Sequence, residues 1–287
     1  MTADDFARDE YKDYITYKEL AKTETVPAFK EILEHLIRHE LDHYNFWLKF
    51  SSKKEFKIDA LGILFLKLSR KILGLTFTTK FLERHEKQTI LNYRQFLKSA
   101  ENKTREQIEE IIKQEELHER KLVGQIREER IKFISSIVLG INDGLIELTG
   151  ALTGFAFAFR NNTTVSMAGF ILGIAAALSM ASSAYLSARQ EEGKDPKKAG
   201  LYTGISYILV VLFLILPFFF FSNIFASLTT MTLVVVVTVT CLSYYTSVIF
   251  GRDFRKSLME MFAFSVGIAF ISFLIGTITR ILTGVEV

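Results

Sequence analysis

Apolar and polar positions divide the chain into two parts with different patterns. In the first part, apolar residues recur every three or four positions among charged ones, as in amphipathic helices. From Ile131 onward the chain carries apolar runs of about 20 residues or more, long enough to cross a hydrocarbon layer of ~30 Å as helices. The pattern predicts an all-α fold, with residues 1–127 as a helical domain in water and residues 128–287 as a membrane domain.

Helix boundaries can be predicted in the first part from capping residues. One helix is expected over residues 4–23, and a second begins with Thr25 as its cap and Pro27 in its first turn. A later helix opens at Thr104, where Gln107 completes a capping box. These helices are the elements that would carry the polar residues described next.

Two Glu-x-x-His pairs interrupt the apolar stripes of these helices. Glu40 and His43 form the first pair, and Glu115 and His118 form the second. Residues three apart on a helix project toward the same point. A single pair of this kind is common on solvated helices, so the signal lies in the repetition.

Each pair is preceded by a helix that carries a Glu and, two turns later, a Tyr. Glu10 and Tyr17 precede the first pair, and Glu86 and Tyr93 precede the second. Four such helices can bring four carboxylates and two imidazoles together in the core of a bundle. This is the donor set of a di-iron or di-manganese site, since hard carboxylates with imidazole suit both metals.

This pattern resembles the ferritin-like superfamily, and rubrerythrin in particular, over roughly the first 125 residues. The resemblance implies a ferritin-like four-helix bundle with a bound di-iron centre. It also implies roles for the six ligands: bridging carboxylates Glu40 and Glu115, terminal carboxylates Glu10 and Glu86, and imidazoles His43 and His118. The rubredoxin module of rubrerythrins is missing because the chain has a single cysteine, Cys241, which argues against an electron-fed peroxidase.

Other titratable residues near the motifs are assigned lesser roles. His39 lies one turn before His43, and Glu83 lies one turn before Glu86, so either is a candidate extra ligand. The remaining four are predicted to be surface residues: His35, His85, Glu116 and Glu119.

The stretch from Lys57 to Phe81 is too apolar for a solvated linker, yet Lys67, Arg70 and Lys71 interrupt it. One interpretation is the long crossover of a helical bundle. The other is an amphipathic helix that lies on the membrane surface. The two interpretations are compatible.

Five membrane spans are predicted, at residues 131–159, 164–188, 200–221, 224–250 and 258–281. Basic residues cluster in the loops after the second and fourth spans. By the positive-inside rule this places the N-terminal domain in the cytoplasm of a multi-pass protein of the cytoplasmic membrane, and the C-terminus outside. The acidic N-terminus has no apolar core, so no signal peptide is expected. Small residues four apart, such as Gly150 with Gly154 and Ser179 with Ser183, predict close helix packing.

Carboxylates inside the first span are the main functional signal of the membrane part. Asp143 and Glu147 lie one turn apart, and an ionisable group at that depth costs at least ~2.5 kcal/mol unless it meets a partner or water. Asp143 is therefore predicted to line an ion pathway. Glu147 either joins it or packs in protonated form against a neighbouring span, and the role of Glu260 stays open.

The membrane part resembles the vacuolar iron transporter family through Gly140-Ile-Asn-Asp-Gly-Leu in the first span and Ser179-Met180-Ala with Tyr185-Leu-Ser in the second. The resemblance implies a homodimer that exports divalent iron or manganese, in exchange for protons, through Asp143 and Met180. The Glu-rich metal-collecting loop of the plant type is here a short segment, so the N-terminal domain is expected to replace it. Such fusions resemble the membrane-bound ferritin group of bacteria and archaea.

Two classes of function follow. The first is an Fe²⁺ or Mn²⁺ exporter fed by a metal-capturing N-terminal domain. The second is a membrane-anchored di-iron oxidase or peroxidase, for which the spans serve mainly as an anchor. A buried Asp143 favours the exporter, since an anchor needs no carboxylate in mid-membrane. Nucleic acid is not an expected partner, because the charges are mixed and form no basic stripe.

Overall fold

The computed structural model describes residues 1–57, 59–99, 102–124 and 128–283. The described residues form ten α-helices and one short 3₁₀ turn, with no strand among them. Contacts divide the chain into two compact units, Met1–Arg127 and Glu128–Val287.

The N-terminal unit contains five helices: α1 (Ala3–Thr23), α2 (Pro27–Leu48), α3 (Ala60–Ile72), α4 (Gly74–Phe96) and α5 (Asn102–Val123). The all-helical prediction is confirmed, but two predicted caps are wrong. Val26 precedes α2 without a side-chain cap, and the Glu24 carboxylate accepts hydrogen bonds from the backbone of Thr25 and Val26 instead. Helix α5 begins two residues before Thr104, so this threonine lies inside its first turn.

Apolar residues of this unit form two layers with a polar layer between them. One apolar layer contains Tyr17, Leu36, Leu82 and Leu122, and the other contains Phe6, Trp47, Ile90 and Ile111. Along each of α1, α2, α4 and α5, the glutamates and histidines of the motifs fall between a residue of one layer and a residue of the other. The hydrophobic layers thus exclude water from the polar layer on both sides.

Helix α3 accounts for much of the apolar stretch after Lys57. It buries Leu66 and Ser69 against the unit and exposes an apolar face that includes Leu61 (80% exposed) and Ile72 (70% exposed). Arg70 donates two hydrogen bonds of 2.7 Å to the buried carboxylate of Glu24. The stretch is therefore a packed connection that also presents an amphipathic surface.

The second unit contains α6 (Glu128–Phe159), α7 (Asn162–Ala188), α8 (Pro196–Phe220), α9 (Ile224–Phe250) and α10 (Phe254–Thr283). Each is long and apolar enough to cross a membrane, which confirms the five predicted spans by length and composition. Four of these helices begin two to four residues before the predicted span. For α7 and α8 the reason is a polar cap ahead of the apolar run, Asn161 and Asp195 respectively.

Small residues set the helix spacing in this unit. A Cβ atom at Gly276 of α10 would lie 2.2 Å from the carbonyl oxygen of Gly154 on α6, so the two backbones touch. A Cβ at Gly173 would meet Val211 of α8 at 2.5 Å. Ser179 and Ser183 differ from the prediction, since both are exposed within the single chain.

Candidate metal centre

Six side chains from four helices converge in the polar layer of the N-terminal unit. Helix α1 contributes Glu10, α4 contributes Glu86, and α2 and α5 each contribute one Glu-x-x-His pair. Each of the six is at most 3% exposed. They are the six predicted ligands: Glu10, Glu40, His43, Glu86, Glu115 and His118.

The six residues form two overlapping groups whose ligand atoms lie within 4.8 Å of one another. The groups are Glu10, Glu40, His43 and Glu115, and Glu40, Glu86, Glu115 and His118. Glu40 and Glu115 belong to both groups, as bridging carboxylates would. Glu115 Oε1 lies 2.9 Å from His43 Nδ1, and Glu115 Oε2 lies 3.1 Å from His118 Nδ1, so each oxygen faces one imidazole.

Two fully buried tyrosines hold the outer carboxylates. Tyr17 of α1 donates a hydrogen bond to Glu86 of α4, and Tyr93 of α4 donates one to Glu10 of α1. Residues two turns apart on one helix are ~10 Å apart, too far for a direct bond. Because α1 and α4 run in opposite directions, each tyrosine lies level with the glutamate of the other helix. The Trp47 indole N–H donates to the Tyr93 hydroxyl at 2.8 Å.

The two central imidazoles have different partners on their outer nitrogens. His43 Nε2 lies 2.7 Å from Gln114 Oε1, an acceptor, so Nε2 donates to it and Nδ1 faces the carboxylates of the centre, 2.9 Å from Glu115 Oε1. His118 Nε2 lies 2.9 Å from His39 Nδ1. Gln114 was missed at the sequence level because a single glutamine beside Glu115 carries no distinguishing pattern.

Burial and mutual repulsion set the charge state of the centre. Burial, reinforced by the charge of Glu40, raises the pKa of Glu10 well above its usual range, and burial with the charge of Glu115 raises the pKa of Glu86 in the same way. Burial opposes ionisation of Glu115 too, but the neighbouring His118 and His43 imidazoles hold its pKa well below the usual range. Protons therefore neutralise part of the centre in the absence of a cation.

The donor set fits two divalent cations. Four inward-facing atoms are buried and make no well-aligned hydrogen bond to any described residue: Glu10 Oε2, Glu40 Oε1, His43 Nδ1 and Glu115 Oε1. Buried polar atoms without partners are costly, and a cation would satisfy them. Four ionised carboxylates would also be balanced by two divalent ions. Oxygen and imidazole donors suit iron and manganese.

The other residues considered in the sequence analysis lie outside the two carboxylate groups. Glu83 lies outside both groups and is held by Lys80 at 2.8 Å and Lys87 at 2.6 Å. Of the predicted surface residues, Glu116 pairs with Arg94 and Glu119 pairs with Lys87. The surface prediction is wrong for His35, which is half-buried in a group with His39 and His118 because α2 turns this face toward α5.

A second unpredicted feature is an ion pair beside the centre. Asp13 is buried, and its Oδ2 lies 2.9 Å from His85 Nε2. The charge of Asp13 raises the pKa of His85 to about 9, so this imidazole is charged at neutral pH. The spacing of Glu10, Asp13 and Tyr17 along one helix face could have indicated it.

The polar residues of the membrane unit are less enclosed within the single chain. Asp143 is half-buried and Glu147 is exposed on α6, while Met180 of α7 packs against the apolar core. The Tyr207 hydroxyl of α8 donates to Glu147 Oε2 at 2.7 Å. Glu260 lines a cavity of about 310 Å³ with Asn142.

A helical protein with five candidate spans and a buried carboxylate–histidine cluster has the features of a multi-pass membrane protein that handles metal ions. The sequence profile of the VIT family matches residues 134–194 and 189–277, half of the chain. The chain therefore belongs to the VIT family, and this membership suggests membrane transport of metal ions. No curated protein and no solved structure matches the chain.

Proposed function

We propose that this chain is an exporter of divalent metal from the cytoplasm, with Fe²⁺ as its main cargo and Mn²⁺ as the alternative. Membership of the VIT family over the five helices is the observation that carries this proposal. Asp143 supplies a charged oxygen within the first span, and Met180 supplies a thioether from the second. Asp143 can also accept a proton in exchange for the metal.

A homodimer would complete the pathway. Asp143 and Glu147 lie on a face of α6 that the other helices of the single chain leave partly open. A carboxylate facing lipid is costly, so this face needs a polar or aqueous cover. A second copy of the chain would bring the same two carboxylates to the opposite side of a shared pathway.

The N-terminal unit would be a ferritin-like bundle that captures the cargo. Glu40 and Glu115 would bridge two metal ions, Glu10 and Glu86 would bind one ion each, and the two histidines would complete the set. The orphaned ligand atoms and the two overlapping groups support this role. Bound iron there would supply redox chemistry, while the chain's own residues position the carboxylates and exclude water.

Metal analysis tests the capture role. The purified full chain should hold at least about two Fe per N-terminal unit, as four shared carboxylates and two imidazoles suffice for a dinuclear site. Glu40→Ala and Glu115→Ala should each lose most of that iron, because each residue faces both positions. Glu83→Gln is the matched control, since Glu83 is a buried glutamate outside the centre. Unchanged iron content in both alanine variants would overturn the dinuclear assignment.

Iron flux separates an exporter from an anchored enzyme. Purified chain in liposomes should take up Fe²⁺ and move protons the other way, whereas an anchored oxidase would consume Fe²⁺ without transferring it across the bilayer. Iron that disappears from the medium but never reaches the lumen would favour the enzyme.

A further inference from the structure

Three histidines form a separate cluster beside the carboxylate centre. His35 and His39 lie one turn apart on α2, so both project from the same face, and His118 reaches them from α5. One nitrogen of each ring lies within 4.8 Å of the others. The ring centres of His35 and His39 are 4.2 Å apart, and those of His39 and His118 are 5.0 Å apart.

The two ring nitrogens of His118 face different groups, one the carboxylate centre and the other the histidine cluster. Its Nδ1 faces the carboxylates, at 3.1 Å from Glu115 Oε2 and 3.2 Å from Glu40 Oε1. Its Nε2 faces His39 Nδ1 at 2.9 Å. The cluster is thus joined to the carboxylate centre through a single imidazole, which would bind metal on both sides only as an imidazolate, after releasing its ring proton. His35 and His39 are only half-buried, so an ion can reach this side from solvent.

His35 holds a buried polar atom that no described residue satisfies. The ammonium of Lys121 lies 3.0 Å from His35 Nε2 and can only donate, so Nε2 accepts and the neutral ring carries its proton on Nδ1. Nδ1 is buried and makes no hydrogen bond within the described part of the chain. A cation bound by His35 would have to displace the Lys121 ammonium, because both are positive and share one ring.

We infer that His35, His39 and His118 form a second, mononuclear metal site that binds a borderline divalent cation such as Fe²⁺ through three imidazole nitrogens. Three histidines leave one tetrahedral position open to water, as in sites that exchange their ligand. Imidazole donors without a carboxylate favour Fe²⁺ or Zn²⁺ over Mn²⁺. This site would receive metal ions from solvent for the capture unit. That role rests on the proposed function, whereas metal binding itself does not.

Titration of the full chain in detergent with Co²⁺ alone tests the site. Co²⁺ held by three imidazoles and one water is four-coordinate and absorbs visible light much more strongly than Co²⁺ in an oxygen-rich, higher-coordinate site. Wild type should show this strong absorption. His35→Ala and His35→Gln should lose it together with about one Co²⁺ ion per chain, because the site needs all three imidazoles. His85→Ala, which removes a histidine outside the cluster, should keep it.

The lysine provides a variant that should strengthen binding. Lys121→Met keeps much of the apolar stem but removes the competing charge, so the four-coordinate ion should bind about tenfold more tightly. Unchanged affinity in Lys121→Met, or unchanged absorption in both His35 variants, would overturn the site. Glu40→Ala separates the three-histidine site from the dinuclear carboxylate centre. If this variant loses the Co²⁺ ions of the carboxylate centre but keeps the strong absorption, the two sites are separate. A wild type with only the four-coordinate ion would refute the dinuclear centre and leave this site standing.

Discussion

Metal binding should stabilise the N-terminal unit, and Glu115→Ala should remove most of that stabilisation. A ligand that binds only the folded state at ~100 times its Kd adds ~2.7 kcal/mol, so two ions add about 5 kcal/mol. For a unit of this size, 1 kcal/mol shifts the Tm by roughly 3–5 °C, and the full shift should be roughly 15–25 °C. Because Glu115 faces both imidazoles, its loss weakens both ion positions.

The single tryptophan makes this measurable in the full chain. Trp47 is buried in the N-terminal unit and bonded to Tyr93, so its fluorescence reports unfolding of that unit alone. Melts of wild type, Glu115→Ala and Glu83→Gln should be recorded with and without Mn²⁺. The shift should survive in Glu83→Gln and nearly vanish in Glu115→Ala. A wild type without a shift, or a Glu115→Ala protein with the full shift, would refute the reasoning.

Three further outcomes are expected. In a Cys241→Ser background, Lys197→Cys should resist an impermeant thiol reagent added to intact cells; labelling from outside would contradict the proposed orientation. In nanodiscs, a fluorophore on Leu64→Cys should be quenched by quencher-bearing lipids if the exposed face of α3 lies on the bilayer, and lack of quenching would exclude that placement. Met180→Ala should slow Fe²⁺ uptake less than Asp143→Asn, because a neutral thioether, a soft donor, is a weaker ligand for Fe²⁺ than a charged carboxylate; equal losses would make the methionine an essential ligand.

Periodicity predicted the parts of the fold that depend on local sequence. The five spans follow from apolar length, and the convergence of the two Glu-x-x-His pairs follows from their placement on apolar stripes that must be buried. The start of a helix can depend on groups outside it. Glu24 lies before α2, and its carboxylate accepts hydrogen bonds from the backbone N–H groups of Thr25 and Val26. The capping rule considered only the side chain of Thr25 and therefore did not predict this contact.

The side-chain contacts between helices could not be predicted from the spacing of residues along one helix. The exchange of tyrosines between α1 and α4 depends on which helices are neighbours and on their relative height, and neither is encoded in the period of one helix. His35 illustrates the same limit. Its place on α2 is compatible with a surface position, and only the approach of α5 turns it into a neighbour of His118.

The most direct test of export is the initial rate of Fe²⁺ uptake into liposomes that contain wild type or Asp143→Asn. Asparagine has nearly the same shape as aspartate but offers neither a charged oxygen nor a proton-accepting carboxylate, so uptake and the coupled proton flux should be lost. Glu192→Gln, an exposed carboxylate between the second and third spans, should transport normally. The Trp47 melt and the metal content of Asp143→Asn should match wild type. Uptake by Asp143→Asn at the wild-type rate would contradict export through this carboxylate and favour the anchored enzyme.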